Sequence, residues 1–202
     1  MPVPDIVTPR LLLRSWKESD FEPHIRWEAD PRVNEFLPFL HVPRTEEASR
    51  EQIARFLGHP VEKLQEWAKT WLRQETDNSY HGWAVEVPGI ADVIGGVWLG
   101  GDANGAADLI PPSIGIHWRF ASQYWGKGYA TEAAQAVLKY GFTTLGLNEI
   151  CSMSALGHKR SFALMERIGL RYVKDFEFPL LPQGHPLRPY AFYTLRREDW
   201  SG

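Results

Sequence analysis

The fold class predicted for this 202-residue chain is α+β with one mixed sheet, and three observations predict it. Apolar or alternating runs of strand length recur at Leu11–Trp16, Gly82–Val87, Asp92–Leu99, Ser113–Phe120, Glu149–Ala155, Arg171–Phe178 and Tyr190–Leu195. Segments with apolar residues at helical spacing separate them, giving the order strand, two to four helices, three strands, helix, strand, helix, two strands. A glycine turn, Gly126-Lys127-Gly128, joins the fourth run to the helix after it.

Taken in order, residues 1–9 hold Pro2, Pro4 and Pro9 and read as an irregular tail. After the first strand, Ser19 and Glu22 form a capping box for a short helix over roughly 20–29, and Asp30-Pro31 marks the N-cap and first position of another that ends near Pro38. Phe36, Leu37, Phe39 and Leu40 then fall on a loop, where aromatic rings either contact a substrate or plug the core. Thr45 caps a helix that stops at Gly58 and Pro60, and helical spacing continues through Trp67 and Trp71 to about residue 75.

Pro88-Gly89 is a turn dipeptide, so the second and third strands form an antiparallel hairpin. In the fourth strand Ile114, Ile116 and Trp118 share one face, and Gly115, His117 and Arg119 the other. The helix after the glycine turn presents Ala130, Ala133, Ala134, Val137, Leu138 and Gly141 on one side, a small-residue face that must pack closely on the sheet. After the next strand, Gly157-His158-Lys159-Arg160 is a turn. Ser161, Leu164, Met165 and Ile168 then share the inner face of a helix closed by Gly169. The last two strands are linked by the proline-rich loop 179–189, long enough to cover a site.

Composition narrows the function classes. The length suits one well-buried core, so a single domain over 1–202 is expected. A net charge of -3 provides no basic field, which weighs against nucleic acid as the main partner. One cysteine, Cys151, excludes an intrachain disulfide; with no charged-then-apolar leader it points to the cytoplasm. No apolar run approaches the roughly 18 residues of a membrane helix, so no membrane partner is expected. The seven histidines lie at least 17 residues apart and form no metal clip, so no metal is expected.

Physically, the stretch Gln123 to Glu132 reads as an anion cradle. Gly126 and Gly128 allow positive φ and close approach of the backbone, and the helix that follows offers free N–H groups and the positive end of its dipole. A diphosphate suits such a site, or else the turn binds nothing. Two nucleotide patterns fail: the dinucleotide fingerprint needs a third glycine where Thr131 stands, and a Walker loop is absent.

The spacing Gln123, Gly126, Gly128 resembles the acetyl-CoA pyrophosphate motif of the GNAT N-acetyltransferases. The run Tyr124-Trp125-Gly126-Lys127-Gly128-Tyr129-Ala130-Thr131-Glu132-Ala133 is similar to the signature of their RimJ/RimL branch, whose best-known members acetylate N-termini of ribosomal proteins. The opening Thr8-Pro9-Arg10-Leu11, the segment Ser161 with Glu166-Arg167-Ile168-Gly169-Leu170, and the closing Tyr190–Trp200 agree with that branch. The resemblance implies a mostly antiparallel sheet of about seven strands, with a V-shaped split between Ser113–Phe120 and Glu149–Ala155. It further implies acetyl-CoA as donor and an amine acceptor, a peptide N-terminus or a small molecule. In the split, Trp118, Arg119 and Phe120 flank the pantetheine, Gln123 lies at the mouth of the loop, and Tyr124, Trp125, Gly126, Lys127, Gly128, Tyr129, Ala130 and Thr131 hold the diphosphate, with N–H groups of about 124–129 as donors.

Acyl transfer needs an amine freed of its proton, a polarised carbonyl and a proton for the leaving thiolate. Ser161 matches the family serine placed to give that proton, or is a helix cap without chemistry. His158 stands where relatives carry asparagine, and serves as a cofactor contact if it replaces that residue. The strand glutamate that many relatives use as base is Ser113 here, which leaves His117 as the nearest group of suitable pKa, or a water chain backed by Glu86. Phe36, Phe39, Trp98 and the 179–189 loop form the expected acceptor rim. Monomer and homodimer are both compatible with the sequence, and a non-catalytic acyl-CoA-binding or regulatory module is the competing reading.

Overall fold

The computed structural model describes residues 3–28, 30–37, 81–100, 114–179 and 181–202. Phe39, Ser113 and the helical patterns expected over 45–75 lie outside the described residues.

In chain order the elements are β1 (Ile6–Val7), β2 (Leu12–Arg14), α1 (Phe21–Glu28), α2 (Pro31–Asn34), β3 (His81–Val87), β4 (Ala91–Leu99), β5 (Ile114–Phe120), α3 (Tyr129–Thr143), β6 (Glu149–Ala155), α4 (Lys159–Arg167), β7 (Arg171–Glu177) and β8 (Pro189–Arg196). The strands form one sheet in the order β1-β2-β3-β4-β5-β6-β8-β7, and every neighbouring pair is antiparallel except β5 with β6. Among the described residues the sheet has eight strands, against about seven expected. The extra one comes from the expected tail, where Ile6 pairs with Leu13 and Val7 with Leu12. The second short helix also ends earlier than expected, at Asn34, although Asp30 caps it as read: its carboxylate accepts from the Arg32 N–H at 3.0 Å.

Helix α3 covers one face of the sheet with its small residues. Ala133, Ala134, Val137 and Leu138 are fully buried, and a Cβ on Gly141 would lie 2.8 Å from the Ile150 side chain and 3.1 Å from that of Leu99. Only a helix without a side chain there can come so close. Two smaller apolar clusters lie elsewhere in the core: Trp16, Trp27, Ala84, Val93, Trp98 and Ala121, and a second of Cys151, Ala155, Phe178, Leu181, Tyr190 and Phe192.

The feature that positions the site is the parting of β5 from β6. They pair only at Ile114 with Ile150 and Gly115 with Cys151, whereas β6 pairs with β8 along its whole length. Beyond that point β5 follows β4 instead. It stays paired with β4 to its end, where a Cβ on Gly95 would stand 2.4 Å from the Arg119 carbonyl and 2.7 Å from the Phe120 ring. The glycine permits this close approach of the two strands, as glycines within strands often do.

Candidate active site

The split is a backbone feature first. The N–H of Gly100 donates to the Gly115 carbonyl and the N–H of Ala121 to the Ile94 carbonyl, so odd-numbered residues of β5 turn their main chain toward β4 and even-numbered ones toward β6. At the apex the Ser152 hydroxyl donates to the Ile116 carbonyl at 2.9 Å, and at the far end the Trp125 indole N–H donates to the Phe120 carbonyl at 2.8 Å. Between them the N–H and carbonyl of Trp118 and the N–H of Phe120 face the gap, without a strand partner among the described residues. Trp118 and Arg119 are half-buried, and Phe120 is buried.

Next comes the glycine loop. A 3-10 turn over Ser122–Tyr124 leads into it, and that turn uses the N–H of Tyr124 on Ala121 and of Trp125 on Ser122. Gly126 and Gly128 have φ of 74° and 81°, and Gly128 is the N-cap of α3, whose ladder opens with the Glu132 N–H on the Gly128 carbonyl. The N–H groups open to an anion therefore run from Gly126 to Thr131 rather than from 124 to 129, because the 3-10 turn has already engaged the first two. Nothing lies within 4 Å of a Cβ built on Gly126. N–H groups without a partner among the described residues, a helix dipole and open space fit a diphosphate.

Charge surrounds this loop. Arg10 donates from Nε to Glu132 at 2.6 Å and from its guanidinium to the Lys127 carbonyl at 2.9 Å, and it lies 4.8 Å above the Tyr129 ring. Arg160 of α4 lies 4.2 Å from the centre of the Trp125 ring, and the Lys127 ammonium 5.4 Å from that of Tyr124. These contacts were not read from the sequence. Arg10 appeared there only within a family opening, and nothing in its spacing joined it to Glu132.

On the opposite arm, Ser161 stands in the first turn of α4 with 6% exposure, its N–H on the His158 carbonyl at 3.0 Å. Leu164, Met165 and Ile168 are buried with it, as the helical spacing requires. His158 is the N-cap. Its Nδ1 shares a 2.9 Å hydrogen bond with the Ser154 hydroxyl, and its ring stacks on Phe36 at 4.5 Å and 13°. Burial, then the charge of Arg160, pushes its pKa down to about 4, so the ring is neutral at neutral pH. Phe36 is half-buried and packs against Gly157 and the cluster that Phe178, Leu181 and Leu187 share with β6 and β8.

Of the other expected site residues, His117 and Trp98 stand opposite each other on β5 and β4. His117 packs its Nε2 against Gly115, 2.7 Å from where a Cβ would stand; that nitrogen is buried without a hydrogen-bond partner, and burial lowers the pKa to about 4. Trp98, expected on the acceptor rim, is 7% exposed and stacks on Trp16 at 6.2 Å and 17°, because the alternation of β4 turns it onto the face that Trp16 closes. Glu86, expected behind a water chain, accepts from Arg14 Nε at 2.7 Å. Among the described residues, no group of three or more His, Cys, Asp or Glu could hold a metal, and no helix is long and apolar enough to cross a membrane.

Residues 10–171 match the family model described as "Acetyltransferase (GNAT) domain". The uncharacterized N-acetyltransferase YnaD of Bacillus subtilis is 26% identical over 97% of this chain and 99% of its own length. The FsC-acetyl coenzyme A-N(2)-transacetylase of Aspergillus fumigatus is 32% identical over 41% of this chain and 36% of its own. Among solved structures, an acetyltransferase (GNAT family) from Bacillus anthracis superposes with a TM-score of 0.74 at 26% identity, covering 96% of this chain and 99% of that one.

Proposed function

The chain belongs to the GNAT acetyltransferase family, and from that premise we propose that it acetylates a primary amine, either a peptide N-terminus, as in the RimJ/RimL branch its signature resembles, or a small-molecule amine. The observation that carries this reading is the open loop Gly126–Gly128 at the end of a strand whose Trp118 backbone faces a split in the sheet. Acetyl-CoA supplies an acyl group activated as a thioester, which the amine attacks directly within a ternary complex.

The chain's own groups then divide the work. N–H groups from Gly126 to Thr131 hold the diphosphate, with Gln123 at the entrance. The Trp118 backbone facing the split pairs with the pantetheine, flanked by Arg119 and Phe120. Ser161, buried at the start of α4, gives a proton to the departing thiolate. His158 replaces the family asparagine as a neutral contact whose ring is fixed by Ser154 and Phe36.

The acceptor comes from the other side of β5, past Phe36 and the 179–189 loop. His117 is too weak a base to take its proton. A group of pKa about 4 can deprotonate a peptide N-terminus near pKa 8 only at a cost of roughly 5 kcal/mol, and an alkylammonium near pKa 10 only at roughly 8 kcal/mol. The amine thus loses its proton to water before or during entry, and the neutral His117 can accept a hydrogen bond from it.

The test is release of free CoA from acetyl-CoA on addition of a panel of peptides and small amines. Turnover on one class and not the other identifies the acceptor. CoA at about 100 times its Kd should stabilise the fold by roughly 2.7 kcal/mol. A melting shift without turnover on any amine would instead support a non-catalytic acyl-CoA-binding module, the reading favoured by Ser113 in the glutamate position. No shift would end the donor assignment.

A further inference from the structure

Arg10 is about half exposed, and an exposed ion pair contributes little to stability. Yet the contacts of Arg10 converge on the glycine loop and the first turn of α3. Its backbone N–H and Nε both donate to Glu132, whose carboxylate also accepts from the Thr8 hydroxyl at 2.6 Å. Its guanidinium holds the Lys127 carbonyl, covers Tyr129, and stands 3.2 Å from the place of a Cβ on Gly128.

Two consequences follow from elementary chemistry. A trans peptide points its C=O and N–H in opposite directions, so holding the Lys127 carbonyl toward Arg10 turns the Gly128 N–H away from it. The second consequence concerns charge. Glu132 lies in the first turn of α3, where a carboxylate steadies the helix but repels any anion bound at its N-terminus. Burial raises the pKa of this carboxyl, but the hydrogen bonds from Thr8 and Arg10 outweigh it and hold the group below the usual range, so the charge is present. Arg10 cancels it.

We propose that Arg10 is a positioning residue for the donor diphosphate: it fixes the Lys127–Gly128 peptide and neutralises Glu132, so that the loop keeps a positive potential. This rests on the donor site proposed above. The experiment is calorimetric titration of the full chain with CoA, for wild type, Arg10→Ala and Arg10→Lys, at about 50 and 500 mM salt, together with steady-state kinetics.

Arg10→Ala should weaken CoA about tenfold at low salt, with the loss in the KM for acetyl-CoA and not in that for the amine. The defect should narrow at high salt, where the uncompensated Glu132 is screened. Arg10→Lys, which keeps the charge but not the fork, should fall between the two. A salt-independent defect, or equal loss in both KM values, would show a structural role alone and overturn the proposal, as would unchanged CoA affinity. If Arg10→Ala does not fold, wild-type affinity in Arg10→Lys at both salts would overturn the part assigned to the fork. Failure of wild type to bind CoA would instead strike the donor assignment itself.

Discussion

The hydroxyl of Ser161 owes its place to α4, whose inner face also carries Leu164, Met165 and Ile168 into the core. A general acid contributes about 10²–10⁴ in rate, whereas a helix cap contributes about 1 kcal/mol of stability, and the two roles separate in one variant. Ser161→Ala should lower kcat at least 100-fold while CoA affinity stays near wild type; a small change in kcat with a lower Tm would leave the serine a cap. The histidines make a pH prediction of definite sign. His117 and His158 have pKa values near 4 in the fold against 6.5 ordinarily, so between these limits the unfolded chain binds more protons than the folded one. Stability is therefore full above about pH 6.5 and declines as pH falls toward 4. Thermal melts across that window should show the decline, and His117→Gln should make it shallower. A Tm unchanged between pH 7 and 4.5 would contradict the burial of both rings.

For the glycine loop the relevant unit is the turn that links β5 to α3. Gly126 and Gly128 both have positive φ, which costs an L side chain about 1–2 kcal/mol. Space differs between them: a Cβ on Gly126 meets nothing within 4 Å, while one on Gly128 meets Arg10 at 3.2 Å. Gly126→Ala should lose about 1 kcal/mol in denaturant unfolding, and Gly128→Ala more, because its methyl also disturbs the guanidinium. The reverse order would mean that Arg10 yields freely. The turn and the helix after it were legible in the sequence because glycine spacing and the period of Ala133, Ala134, Val137 and Leu138 are local signals. The 3-10 turn before them was not. It depends on where the Ala121 and Ser122 carbonyls point, and it shifts the open N–H groups by two residues. The separation of β5 from β6 was expected through the resemblance alone, although the Gly95-Gly96 pair carries a local sign of close strand approach.

Across the whole molecule, the succession of strands and helices along the chain and the helix on the sheet followed from patterning, whereas the order of strands in the sheet and the polar contacts between distant segments did not, since a sequence shows charges but not which pairs fold together. Arg14 is the clearest instance. It is 8% exposed, and it donates to both Asp20 oxygens at 2.7 and 2.9 Å, to Glu86 at 2.7 Å and to the Asp92 carbonyl at 2.6 Å. Burial opposes its charge, but the hydrogen bonds to Asp20 and Glu86 prevail and hold its pKa above the ordinary value. One guanidinium thus joins β2, β3, the edge of β4 and the approach to α1, where Asp20 also accepts from the Lys17 N–H at 3.0 Å. Asp20 is fully buried, so removing it strands a buried cation with a single carboxylate partner. Such breakage costs about 3–5 kcal/mol, while replacing both partners by apolar groups is often nearly neutral. Asp20→Ala should therefore lower the urea midpoint sharply, and Arg14→Met combined with Asp20→Ala should recover much of the loss. If the single variant lost less than about 1 kcal/mol, water would have to reach Arg14 in the fold, and its carboxylate partners would be an exposed pair of little consequence.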